Sequence, residues 1–345
     1  MKFLLVVIGL VILYSTSAYN GQVKFHDSFY YLKKQAFATV LGIVLMLFVA
    51  GMDYHIWQRL AVFGYLAAVA LSVAVMLFGR EINGSKRWLA LGPFSFQPSE
   101  FAKVALILFL ADLVTKNVKT IGKMWTLCRI MFWILPIVGL VGASNLSTAI
   151  IILGIGVILI FVASPKYAQF ALMGIAGACF MGIFLALESY RLERLAIWRN
   201  PEKYEKGYQT LQGLYAIGSG GVFGVGIGNS VQKLGFVPEA QNDMIFSIIC
   251  EELGLAGAGI IVFLFLLLIW RFFLIASGSR DLFGALIATG AMAHMMIQVI
   301  LNIAVVTNTI PNTGITLPFI SYGGTSVMFL LIEMGLVLSV SQVVD

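Results

Sequence analysis

The sequence predicts an all-α integral membrane protein of ten transmembrane helices, with both termini cytoplasmic and a large extracellular loop between helices 7 and 8. Composition is the first observation: of 345 residues, 60% are hydrophobic and 11% charged, with a mean hydropathy of +0.96. A soluble fold has no interior large enough for that apolar excess. The second is a set of uncharged runs at 3–23, 35–52, 60–79, 130–165, 167–187, 253–270 and 282–332. Each is long enough to cross a hydrocarbon core of about 30 Å, and the runs 130–165 and 282–332 are long enough to cross it twice. The third is the absence of repeats or low-complexity segments, which leaves one membrane domain over 1–345 with an exterior loop at 188–242.

The helices follow in order. The first, 3–19, starts at once and lacks a small-residue cleavage site, so it reads as a retained helix and not a signal peptide. Runs two and three supply 36–52 and 60–79. The fourth, 99–115, announces itself by Pro98 and Ser99 at a helix start with Glu100 in the first turn. Splitting 130–165 near GASNLS gives 127–142 and 146–163, and the next run gives 168–187. The eighth, 243–270, begins at Asp243. Splitting 282–332 at TNTIPNTG gives 283–306 and 325–343.

Cytoplasmic termini put Lys2, Arg59, Lys116, Lys119, Lys123, Arg129, Lys166, Arg271 and Arg280 inside, nine of the 22 Lys and Arg residues. Six of the outer thirteen lie in 188–242, a loop long enough for the positive-inside rule to discount. The remaining outer excess suits an anionic substrate at the outer face. The net charge of +6 fits a membrane surface or an anionic ligand, and no nucleic acid is expected. Cys128, Cys179 and Cys250 lack the spacing of a disulfide framework or a zinc site.

Four stretches meet on the outer side of this topology. In 81–106, Lys103 opposes the helix macrodipole that Glu100 favours. A cation there suits a bound anion beside free backbone N–H groups, with Gln97 and Arg87 nearby in sequence. An i, i+3 pair between Glu100 and Lys103 accounts for it as well. In 188–209, Arg191 and Arg194 share one face of a surface helix. That spacing suits gripping a phosphate or contacting lipid headgroups. The glycine-rich GSGGVFGVGIGNS matches neither a Walker loop nor a Rossmann fingerprint, which leaves close backbone approach. In 308–326, Ser321, Gly323 and Gly324 precede the last helix. Just upstream, His294, Gln298 and Asn302 form an i, i+4 stripe, either a proton path or interhelical hydrogen bonding.

The stretch PEAQNDMIFSIICEELG holds three acids. Asp243 sits at the water boundary, as a helix-start residue or as a base. Glu251 lies about 80° around the helix and about 12 Å deeper, and Glu252 lies almost opposite Asp243. The glutamates therefore serve a different place, as partners of buried polar groups. Three functions fit these residues: a transporter relaying protons through Glu251, Glu252 and His294; an outward-facing enzyme on a lipid-linked anion with Asp243 as base; and a scaffold. The concentration of polar residues at one mouth favours the enzyme.

NGSKRWLALGPFSFQPSEFAK, YQTLQGLYAIGSGGVFGVGIGNSVQKLGFVPEAQNDMIFSIICEELG and NTGITLPFISYGGTS, in this order, resemble the SEDS family of polytopic peptidoglycan glycosyltransferases. The wording of GNSVQKLGFVPEAQND is nearer the division and sporulation branch (FtsW-like, SpoVE-like) than the elongation branch. The resemblance implies a ten-helix fold that polymerises lipid II at the outer face of the cytoplasmic membrane. A class B penicillin-binding protein would be the transpeptidase, among other division proteins, and lipid II flipping is the alternative activity. It places the family's essential aspartate on Asp243. Arg87, Lys103, Arg191 and Arg194 become the pyrophosphate candidates, with Mg²⁺ or Mn²⁺ bridging phosphate oxygens. Glu100, Gln97, Glu251, Glu252, His294, Gln298, Asn302, Ser321, Gly323 and Gly324 become groove or structural residues. The chain departs from the family pattern at Met244, where Phe is commoner, at Ser144-Asn145-Leu146-Ser147 in place of a PDLG-like turn, and at Asn308, where Gly is frequent.

Overall fold

A computed structural model describes residues 2–82, 85–91, 94–171, 174 and 196–342. Among them the α-helices are α1 (Lys2–Phe25), α2 (Tyr30–Ala50), α3 (Tyr54–Phe78), α4 (Pro98–Asn117), α5 (Met124–Ser144), α6 (Leu146–Ala163), α7 (Tyr208–Ser219), α8 (Ile245–Ser277), α9 (Leu282–Val306) and α10 (Gly324–Ser341). Eight of these (α1, α2, α3, α5, α6, α8, α9 and α10) are long and apolar enough to cross a membrane. At 20 residues α4 is as long, but carries Glu100, Lys103, Asp112 and Lys116. The first three of those are buried, so its charges face protein and not lipid. The predicted helix 168–187, and Arg191 and Arg194 after it, fall almost wholly outside the described residues.

Several helices reach past the uncharged runs: α1 and α8 at both ends, α2 and α3 at their starts. The first turns of α2 include Lys33 and Lys34, both exposed, with Lys33 paired to Asp27 at 2.8 Å. Charged side chains at a helix end reach water while the backbone stays helical, so a cut at the first charge shortens such an element. Local signals set several ends. Asp53 caps α3 by accepting from His55 N at 2.9 Å, and Asn145 caps α6 by accepting from Thr148 N at 3.2 Å. Residues 80–96, which sequence periodicity left as a connection, form an antiparallel three-stranded meander. Its strands are β1 (Arg80–Ile82), β2 (Ser85–Leu91) and β3 (Phe94–Phe96), in the order β1-β2-β3. The strands are too short for a periodic signal to stand out.

The chain divides into two compact units. Unit 1 holds Met1–Phe37, Ala168–Leu268 and Gln298–Gly323; unit 2 holds Ala38–Tyr167, Ile269–Ile297 and Gly324–Asp345. In unit 2, α3 packs on α4 and α5 on α6. Small residues allow this approach: Gly290 of α9 faces Ile107 of α4, and Gly156 of α6 faces Ile134 of α5. Ile107, Ile134, Ile152 and Ile155 are all fully buried there. In unit 1, α8 is broken at Gly254, whose φ of 66° and ψ of −170° no helix contains.

Candidate active site

Asp243 stands in unit 1, two residues ahead of α8 and half-buried. Its place is fixed through its backbone. Asn302 of α9 donates from one Nδ2 to the carbonyls of Asp243 (2.8 Å) and Ile315 (2.7 Å), tying the head of α8 to the strap 308–323. A second tie runs from Tyr322 N to Gln241 O at 2.9 Å. The strap then holds itself: Leu317 N donates to Ser321 Oγ (2.8 Å), while Gln35 of α2 donates to Ser321 O (3.2 Å) and accepts from Gly323 N (3.1 Å). Gln298 donates to Thr316 O at 3.0 Å. Asn308 adopts a φ of 54°, the left-handed region that Asn tolerates better than most side chains. Trp198 Nε1 donates to Asn308 O at 2.9 Å, anchoring the far end of the strap.

The carboxylate itself meets neutral donors, the backbone N–H groups of Asp243 and Met244 among them. Gln209 of α7 approaches Oδ1 at 3.5 Å, the edge of hydrogen-bonding range. Oδ2 faces Gly314, where a Cβ would come within 3.8 Å and a φ of 68° needs glycine. Among the described residues no cation pairs with Asp243. Burial therefore dominates: it pushes the Asp243 carboxyl up to about 6, and the negative Glu239 nearby pushes the same way. Such a group is mostly ionised at neutral pH yet takes up a proton readily, the property of a general base.

The two buried glutamates of unit 1 are saturated. Glu251 accepts from Ser230 Oγ, Val231 N (3.0 Å) and Gln232 N (3.4 Å). Glu252 accepts from Ser15 Oγ at 2.8 Å and is bridged to Lys233 Nζ at 2.6 Å. The side chains of Ser15, Lys233, Glu251 and Glu252 are all buried.

In unit 2, Glu100 and Lys103 form a buried i, i+3 pair at 3.0 Å, with side chains 8% and 2% exposed. That geometry matches the pairing alternative more closely than an open anion site. Arg87 on β2 donates from Nε to Ser144 O at 2.9 Å and lines a small cavity with Ser72, Pro98, Ser99 and Asn145. Gln97 precedes α4 without capping it through its side chain, and Gly324 opens α10. His294 Nδ1 lies 2.7 Å from Glu333 Oε2, both 2% exposed. The stripe on α9 is thus engaged in bonds to other segments at every member. Glu333 and Lys233 went unremarked in the sequence, although each is an ionisable residue in an apolar stretch, the signal that should have found them. Gln209 and Gly314 carried no such signal, since polar and glycine residues abound in loops. Among the described residues no three His, Cys, Asp or Glu side chains gather as metal ligands.

Many apolar spans, with a carboxylate at the head of one helix that pairs with no cation among the described residues, define a polytopic membrane protein. The chain belongs to the FtsW/RodA/SpoVE family, described as cell cycle proteins, whose model matches residues 1–345. Stage V sporulation protein E of Bacillus subtilis (strain 168) is 40% identical over 352 residues, covering 98% of this chain and 94% of the relative. A probable peptidoglycan glycosyltransferase FtsW of Geobacter sp. (strain M18) is 34% identical, covering 99% and 95%. A chain from a peptidoglycan synthase complex, studied for its coordination of polymerization and crosslinking, superposes with a TM-score of 0.83 at 29% identity, covering 98% of this chain and 94% of that one. The crystal structure of the rod shape determining protein RodA of Thermus thermophilus superposes with a TM-score of 0.73 at 28% identity, covering 99% and 94%. The protein is a multi-pass protein of the cytoplasmic membrane.

Proposed function

We propose that Asp243 is the general base of a glycosyl transfer that polymerises lipid II. The protein is a peptidoglycan glycosyltransferase of the division and sporulation branch. The observation that carries the role of Asp243 is its surroundings: among the described residues its carboxylate has neutral donors and no counter-ion, and burial raises its affinity for a proton.

The chemistry needs one such group. The 4-hydroxyl of an acceptor GlcNAc loses its proton to Asp243 as it attacks the anomeric carbon of MurNAc. The C–O bond to undecaprenyl pyrophosphate breaks, and one inversion turns the α-linked donor into a β-1,4 link. The pyrophosphate leaves as a stable anion, so no second carboxylic acid is required, unlike the paired carboxylates of glycosidases. Arg87, Arg191, Arg194 and Lys103 are the residues proposed to meet the pyrophosphate. The buried Glu100 pair makes Lys103 the weakest of the four, and Arg191 and Arg194 lie outside the described residues. Among the described residues, no set of His, Cys, Asp or Glu side chains gathers at Asp243 that would hold a resident metal. A Mg²⁺ or Mn²⁺ ion would arrive with the substrate's phosphate oxygens.

The topology belongs to the same reading: ten crossings, cytoplasmic termini, and the 188–242 connection opening to the outside, where a class B penicillin-binding protein crosslinks the product. The likeness to a chain from a complex that polymerises and crosslinks supports that partnership. The test is the purified protein with fluorescent lipid II. Asp243→Asn should lower polymer formation by roughly a hundred- to ten-thousandfold while the folded yield is unchanged, and full activity in that variant would sink the assignment. Lipid II flipping in liposomes that persists in Asp243→Ala, with no polymer formed by the native protein, would favour a transporter instead.

A further inference from the structure

Residues 220–238 invert the pattern of a water-exposed loop. Their single charged residue, Lys233, is turned inward and buried, while Val222, Phe223, Val225, Ile227, Leu234 and Phe236 are turned outward. Phe223 is 83% exposed, more than any other large apolar residue described in the chain. We infer that this segment is a re-entrant loop, and that the surface its outward side chains present is covered by the hydrocarbon of the bilayer.

Depth can be read along two helices. α7 runs beside α8 in the same direction: Gly213 faces Met244 and Ser247, Gly220 faces Cys250, and Gly224 faces Glu252 and Gly254. From Ile245 to Gly254, at a helical rise of about 1.5 Å per residue, is a descent of about 14 Å. The return limb climbs α1. Lys233 meets Ser15 (3.0 Å), Gly235 faces Tyr19, Gln241 meets Asn20 (3.1 Å), and Glu239 pairs with the exposed Lys24 (3.4 Å). From Lys24 at the water edge to Ser15 is again about 14 Å. Both limbs therefore place the tip near the middle of a hydrocarbon core about 30 Å thick.

Irregular backbone at that depth requires its polar groups to be satisfied within the protein. The break in α8 supplies the partners. Val225 N and Gly226 N donate to the carbonyls of Glu251 and Glu252, each at 2.9 Å, and Leu255 N and Ala256 N donate to Gly221 O and Val222 O, each at 3.0 Å. The one outward polar side chain, Asn229, donates to Val225 O at 3.1 Å. The groups that α8 loses at Gly254 are those the loop needs. Leu255, 72% exposed and bonded to Gly221, continues the apolar surface into the exposed Ile260 and Phe263 of α8. The glycines at 224 and 254 are obligatory at this crossing, since a Cβ on either would strike the backbone of the other.

The experiment places a nitroxide on single-cysteine variants of the full chain in liposomes, with the native cysteines replaced by Ala. At Phe223→Cys and Ile227→Cys, collisions with oxygen should exceed those with a water-soluble nickel complex, and the reverse should hold at Tyr204→Cys. Nickel-dominated collisions at 223 and 227, or labels closed to both reagents because another protein segment covers them, would overturn the inference. In the otherwise native chain, Phe223→Asp should lower folded yield by roughly tenfold or more while Phe223→Leu keeps it. Equal yields of the two would contradict bilayer burial.

Discussion

Asp243 and Glu252 belong to the same segment of unit 1, yet their surroundings differ in kind. Glu252 is buried with a lysine and a hydroxyl on its oxygens. Asp243 is half-buried, meets a neutral amide and backbone N–H groups and no cation among the described residues, and is held in place by its backbone carbonyl. A buried carboxylate with a full shell is part of the scaffold, because removing any member strands the others. A carboxylate positioned through its main chain, with its side chain left without a counter-ion, is available to a substrate. The pair teaches that position along a helix matters less than which atoms the protein spends on holding the residue.

That contrast can be broken at several points. The largest effect is expected at Lys233→Met, which leaves Glu252 buried without its counter-ion and should destabilise the fold by about 3–5 kcal/mol. Thermal unfolding of the purified protein in nanodiscs, followed by tryptophan fluorescence, measures it; a shift no larger than that of an exposed control such as Lys34→Met would place Glu252 among the available acids. Next comes Gly254→Ala, which combines a disallowed backbone angle with a clash at Gly224 and should cost about 3 kcal/mol. The same unfolding measurement checks it, and a neutral result would contradict the coupling of loop to broken helix. Asn302→Leu is the smallest of the three, about 1–2 kcal/mol for two carbonyls left without their shared donor. It sharpens the comparison because it frees Asp243 without altering it: polymerisation of lipid II should fall more steeply than stability.

The bilayer-spanning elements were readable because an uncharged run long enough to cross hydrocarbon is rare in a chain that folds in water. The break at Gly254 was not, since Glu251, Glu252 and Leu253 continue a helical pattern and only contacts with Gly220–Gly226, distant in sequence, reveal the kink. The 80–96 meander was missed because its strands are short, and α7 because it lies within a connection read as exterior. Within the site, Asp243 was legible from its place at a water boundary and from the resemblance of its motif. Helical geometry also separated Glu251 and Glu252 from it, a division that their hydrogen bonds repeat. The Glu100 and Lys103 pairing was one of two readings, and burial decides between them in a way spacing does not. The partners Ser15, Lys233 and Glu333 were invisible as partners, because they come from segments far away in the chain.

The pH dependence of Asp243 tests the division most directly. With its carboxyl raised to about 6, its contribution to folding favours acid and is lost as pH rises through about 6. A base must be ionised, so activity runs the opposite way. The measurement is the initial rate of lipid II polymerisation, at subsaturating substrate, by purified protein between about pH 4.5 and 8. The expected result is an acid limb with an apparent midpoint near 6, falling about tenfold per pH unit below it, while the protein stays folded throughout. A rate that is flat across that range in the folded protein would contradict the assignment of Asp243 as the base.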